Sequence, residues 1–127
     1  LQLPKNVKDV DITLLAAYPS IDKGIEKLVK ALAILDFNIE ASCEGHMQHN
    51  RHHHPWIYIF DLRSYENLIS WLEKYNKTEE IKWKTDKDCL RTIQEAKNEK
   101  ELIDLQKSSD KLAEYLFANY YINKPTN

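Results

Sequence analysis

The hydrophobic positions of the chain change period several times. From Ile21 onwards they fall at Ile21, Ile25, Leu28, Leu32 and Leu35, the three-and-four spacing of a helix with one buried face. Lys23, Lys27 and Lys30 lie off that stripe. Ser20 is placed to cap this helix, and Asp22 falls in its first turn, where the helix dipole favours a carboxylate. The pattern runs out near 36–38. A second helix is predicted over 63–78, with Ser64 as N-cap and Tyr65, Leu68, Ile69, Leu72 and Tyr75 turned inward. A third, over 99–121, buries Leu102, Leu105, Leu112, Tyr115 and Leu116.

Between the helices the period drops to two. "DVDITLL" (9–15) reads as an edge strand and "IEAS" (39–42) as a short one. "WIYIF" (56–60) sets Trp56, Tyr58 and Phe60 on one face and Ile57 and Ile59 on the other. A strand apolar on both faces is expected to be central and covered on both sides. "IKWKT" (81–85) and "CLRTIQE" (89–95) form a hairpin about the intervening "DKD". The order β-α-β-β-α-β-β-α, with mostly antiparallel neighbours, predicts an α+β two-layer sandwich. Its sheet has four or five strands and packs with three helices. No repeat, linker or low-complexity tract interrupts it. The 127 residues are expected to form one domain, with an irregular N-terminus to about residue 8 and a tail from about 122.

Composition narrows the function classes. Apolar residues are 43% and charged residues 30%, with a net charge of −2. This is a globular mixture with no global field to draw in polyanions, so strong nucleic-acid binding is not expected. No run is long and apolar enough to span a membrane, and the first residues lack the apolar core of a secretory signal. These features, with two cysteines expected as free thiols, fit a cytoplasmic location. With only Gly24 and Gly45, the chain cannot build a glycine-rich phosphate loop.

One segment departs from this ordinary background. "SCEGHMQHNRHHHPW" (42–56) carries all five histidines, within residues 46–54, and one of the two cysteines. Cys43, His46, His49 and His52 recur every third residue. Thiolate and neutral imidazole are the favoured ligands of zinc, and four of them suit a tetrahedral site. His53 and His54 offer alternatives. Ligands crowded into one short loop chelate poorly, so two or three of them plus a group from elsewhere is the more physical arrangement. Cys89 is a candidate for that outside group. Glu44 could ligate or serve as general base. An open coordination position would make the site hydrolytic in type, since water bound there is acidified. Two other readings compete: Cys43 as a nucleophile with His46 as its partner, and Cys43 as a small buried residue at a strand end. A metal-free ligand loop and an incidental cluster also fit the composition.

Arg91 alternates with Cys89 and Ile93. An arginine among apolar neighbours must snorkel, pair with a carboxylate or bind an anion. On the last reading it serves a small anionic ligand near the loop, with Trp56 and Tyr58. Lys82, Lys84 and Lys87 add positive charge to the hairpin, where Trp83 and Tyr58 could stack bases. A solvated strand face over a packed tryptophan explains the same residues.

The order "PSIDKGIEKLVKAL…FNIEASCEGH…PWIYIF…LRTI…ELIDLQKSSDKLAEYL" resembles small bacterial and phage proteins with an S-C-x-G-H motif between a helix and a strand. That resemblance implies no activity. More distantly, Ser42-Cys43-Glu44-Gly45 looks like the "SCSGR" motif of the wybutosine-synthesising tRNA methyltransferase family, with glutamate for the second serine and His46 for the arginine. This second resemblance implies an S-adenosylmethionine-dependent, RNA- or nucleotide-modifying enzyme on a non-Rossmann fold. Three function classes therefore stand: a metal or small-ligand site of hydrolytic type, an RNA-modifying enzyme, and a non-enzymatic interaction module.

Overall fold

Ile57 and Ile59 are wholly buried while Tyr58 between them is 46% exposed, and that contrast organises the architecture. The computed structural model describes residues 21–123. The strand expected at 9–15, the Ser20 cap and both chain ends lie outside them. Helix α1 (Glu26–Ile34), strands β1 (Ile39–Cys43) and β2 (Trp56–Ile59), helix α2 (Glu66–Thr78), strands β3 (Trp83–Asp86) and β4 (Cys89–Thr92), and helix α3 (Glu99–Asn123) follow in that order. The strands form one sheet in the order β1-β2-β4-β3, and every neighbouring pair is antiparallel. This is the expected α+β layering.

One face of the sheet offers Ile57, Ile59, Trp83, Leu90 and Thr92, all buried. Against it pack Leu28, Val29 and Leu32 of α1, Leu68 and Leu72 of α2, and Leu112, Ala113 and Leu116 of α3. Trp83 is 1% exposed, and its indole N–H donates to Ser108 Oγ at 2.9 Å. It is a core residue and stacks no base. The opposite face carries Trp56, Tyr58, Lys84, Cys89 and Arg91, half-buried or exposed. Two-sided cover for β2 is thus not found among the described residues. Tyr58 and Phe60 are large and apolar, but they stand on the open side.

Local chemistry moves several boundaries. The first helix begins at Glu26, not at Ile21. Residues 22–25 form a turn in which Ile25 N–H donates to Asp22 O at 3.1 Å, and the turn holds Gly24. The helix ends where its pattern fades. Phe37 N–H reaches Leu32 O at 3.0 Å and Asp36 N–H reaches Ala33 O at 3.1 Å. This is a Schellman closure with Asp36 at φ +69° in the place usually held by glycine. Ser64 does not cap α2. It sits in a short 3-10 turn (Leu62–Ser64), and its hydroxyl donates back to Asp61 O at 2.8 Å. Ile69, expected inward, is 37% exposed.

Candidate metal centre

The segment between β1 and β2 folds back on itself. His46 N–H donates to His52 O at 3.0 Å, and Arg51 N–H closes a turn on Gln48 O at 3.1 Å. The returning strand is pinned by Ala96 N–H on His53 O at 2.8 Å. Met47 packs against Leu102, Leu105 and Ala96 at the base of α3. Gly45 makes this possible. Its φ is +90°, and a Cβ there would lie 2.8 Å from the His54 carbonyl carbon and 2.9 Å from Leu102 Cδ1. Only glycine fits both the backbone angle and the space.

This folding divides the histidines. Cys43 and His46 meet Asp22 from the turn before α1, and one ligand atom from each of the three lies within 4.8 Å of the other two. His46 Nε2 and Asp22 Oδ2 are 4.0 Å apart. Cys43 is 7% exposed, while Asp22 and His46 retain part of their surface at 41% and 30%. Gly45 N–H donates to Cys43 Sγ at 3.4 Å and so fixes where the sulfur sits. Glu44 N–H donates to Asp22 Oδ2 at 3.2 Å and so turns that carboxylate towards the cysteine and histidine. Glu44 Oε1 accepts from Gly24 N–H at 2.8 Å; the glutamate is a strut between strand end and helix turn. Helix α3 braces the same corner through Gln106 Nε2 on Glu44 O at 3.2 Å and Ser109 Oγ, 2.9 Å from Gly24 O.

His49 and His52 are exposed and do not join this cluster. His53 Nε2 lies 3.2 Å from Gln48 O. The residue from outside the loop that joins the cluster is Asp22, and Cys89 is not part of it. Sequence reasoning placed Asp22 in a helix first turn. The signal that would have separated it is the glycine two residues on, which suits a turn better than a helix interior.

Cys89 belongs to the open sheet face. It opposes Tyr58 across the ladder, and Arg91 opposes Trp56. Burial pushes the Cys89 thiol up, against a smaller downward pull from the Arg91 charge. Both cysteines are free. His52, His54, Trp56, Tyr58, Asp86, Lys87, Cys89 and Arg91 line a hollow on this face. The rings are in contact, with centroids 5.2 Å apart for Trp56 and Tyr58, 6.2 Å for His52 and Trp56, and 5.3 Å for His52 and His54. His54 is 2% exposed. Its burial holds the imidazole below the ordinary histidine range, opposed by its bond to the Pro55 carbonyl. Nδ1 lies 3.2 Å from Pro55 O and acts as the donor, since a carbonyl can only accept. Arg91 pairs loosely with Glu95, at 3.9 Å, and its Nε–H donates to Thr92 O at 3.0 Å.

Comparison of the chain with protein-family models, with curated proteins and with solved structures returns no match.

Proposed function

We propose that Asp22, Cys43 and His46 together hold a divalent metal ion, with zinc the best match to the donor set, in a site of hydrolytic type. The observation that carries this reading is the convergence of one oxygen, one sulfur and one nitrogen within 4.8 Å of one another. Ligand bonds of about 2.0–2.3 Å at tetrahedral angles require donors roughly 3.4–3.8 Å apart, so closure by about 1 Å forms the site. Asp22 and His46 are the partly exposed members and can make that movement. Three protein ligands leave a fourth position for water, which zinc makes acidic enough to attack near neutral pH.

The triangle also separates this reading from a cysteine nucleophile. In a relay, the carboxylate and the sulfur sit on opposite sides of the imidazole, so that one orients the ring while the other gives up its proton. Here the carboxylate and the sulfur are also close to each other, which suits one central cation. The residues around the triangle serve orientation. Gly45 N–H steadies the sulfur, Glu44 N–H steadies the Asp22 carboxylate, and the His52 carbonyl holds the His46 backbone.

The test is elemental analysis of tag-free protein purified without chelator, followed by zinc titration. About one ion per chain is expected, falling sharply in Cys43→Ser and His46→Gln and unchanged in His49→Gln and His52→Gln. Far less than one ion with no uptake on titration, or equal loss in His49→Gln, overturns the assignment.

A further inference from the structure

The hollow on the open sheet face is separate in its residues from the Asp22–Cys43–His46 cluster, and it calls for its own ligand. We infer that it binds a small planar molecule bearing one anionic group, a carboxylate or a phosphate, with the ring against Trp56 and Tyr58 and the anion on Arg91. The hollow measures about 300 Å³, the low end of small-molecule sites and room for a single-ring ligand.

Four observations carry this. First, the face is built and then left uncovered among the described residues. Trp56 and Tyr58 are adjacent on β2, and Tyr58 is 46% exposed although its ring has an aromatic neighbour 5.2 Å away. Exposed, edge-packed aromatics give a flat ring a stacking surface. Second, Arg91 lies directly across the ladder from Trp56 on one side and Lys84 on the other. Among the described residues only its Nε is bonded closely, to Thr92 O. The Glu95 carboxylate stands 3.9 Å from Nη2, too far for a hydrogen bond. The terminal N–H groups are left to grip an anion in the two-pronged way guanidinium does. Third, the charged groups facing the hollow are Arg91 and Lys87 against Asp86, an excess of positive charge in a chain of net charge −2. Fourth, among the described residues His54 Nε2 is the buried side-chain polar atom without a hydrogen-bond partner. Buried polar atoms are nearly always bonded, and the nearest charged group, the Glu95 carboxylate, stands 4.0 Å away, so this lining residue has hydrogen-bonding capacity to spare.

The experiment is calorimetric titration of the full chain in excess chelator, so that its result is independent of any metal at the other cluster. Benzoate and phenyl phosphate are the ringed acids. Inorganic phosphate is the ring-free control and benzyl alcohol the uncharged one. At least one ringed acid is expected to bind at or below about 1 mM, with both controls at least tenfold weaker. The tighter of the two acids identifies the anion as carboxylate or phosphate. Arg91→Gln is expected to weaken that acid at least tenfold and Tyr58→Ala several-fold. Tyr58 is exposed and off the core, so its variant remains a fair test should Arg91→Gln fail to fold. Three results overturn the assignment: no heat from either ringed acid up to about 10 mM, inorganic phosphate binding as well as phenyl phosphate, or affinity unchanged in both variants. A single-stranded oligonucleotide binding far more tightly than phenyl phosphate, with steep salt dependence, also overturns it by making the face a polymer track.

Discussion

The backbone N–H of Glu44 donates to the Asp22 carboxylate at 3.2 Å, joining the end of β1 to the turn that precedes α1. Gly24 N–H returns a bond to Glu44 Oε1 at 2.8 Å. The two contacts form a clasp, and the clasp aims Asp22 at Cys43 and His46. The side chain therefore has two roles that substitution can separate.

Asp22→Asn keeps an oxygen for Glu44 N–H but removes the charge a cation needs. Its melting temperature should stay near that of the wild type while zinc affinity falls at least tenfold. Asp22→Ala removes both and should lose a further ~1 kcal/mol of stability in chelator. Denaturant melts beside zinc titrations read the two effects apart. Equal affinity in Asp22→Asn and wild type would remove Asp22 from the ligand set.

Only one of the two cysteines should respond to metal. Zinc should protect Cys43 from alkylation, and chelation should lift the protection. Cys89, whose half-buried thiol is raised by its surroundings, should react slowly with and without zinc at neutral pH and speed up only above the ordinary thiol range near 8.5. Peptide mass spectrometry after timed labelling assigns the two sites.

Gly45→Ala should be among the most damaging small substitutions in the chain. The methyl would meet the His54 carbonyl carbon at 2.8 Å, at a φ of +90°. A loss of at least ~2 kcal/mol is expected, together with loss of zinc uptake, because the loop return positions His46. Chemical denaturation measures the first effect.

His54 should make the fold acid-sensitive. Its imidazole is held neutral mainly by burial, so its folded-state pKa lies below the ordinary value near 6.5. Between those two values the unfolded chain carries a proton that the folded chain refuses. Stability is then unaffected above about pH 7 and falls as the pH drops through about 6.5. The melting temperature in chelator should decline between pH 7.5 and 5.5, and His54→Phe should flatten that decline. A parallel decline in the variant would place the sensitivity elsewhere.

The layering was legible because it is written in short-range periods. The stripe from Ile25 to Leu35 and the alternation at Ile57 and Ile59 each place their residues without knowledge of the rest of the chain. The candidate site was half legible. Cys43 and His46 stood out by residue type, and an outside ligand was required by geometry. Asp22 was not found, because a helix period extended one turn too far assigned its carboxylate to a dipole. His49 and His52 shared the three-residue spacing, but the bond from His46 N–H to His52 O folds the loop so that both end up exposed. The open face was misread for a related reason. Trp56, Tyr58 and Phe60 look like a second core face by hydrophobicity, and no local pattern tells a covered aromatic from one left uncovered.

Gln106 and Ser109 reach back 62 and 85 residues to brace Glu44 and Gly24, and this sets the order in which the corner can assemble. A chain still lacking α3 can pair β1 with β2 and close the loop, yet its clasp has nothing behind it. Loops of that span close slowly, because their entropy must be lost before any contact rewards it. The corner is therefore expected to become rigid only once α3 has docked. An ion arriving there would select for chains whose last helix has already docked, and its occupancy would report completion of the whole fold.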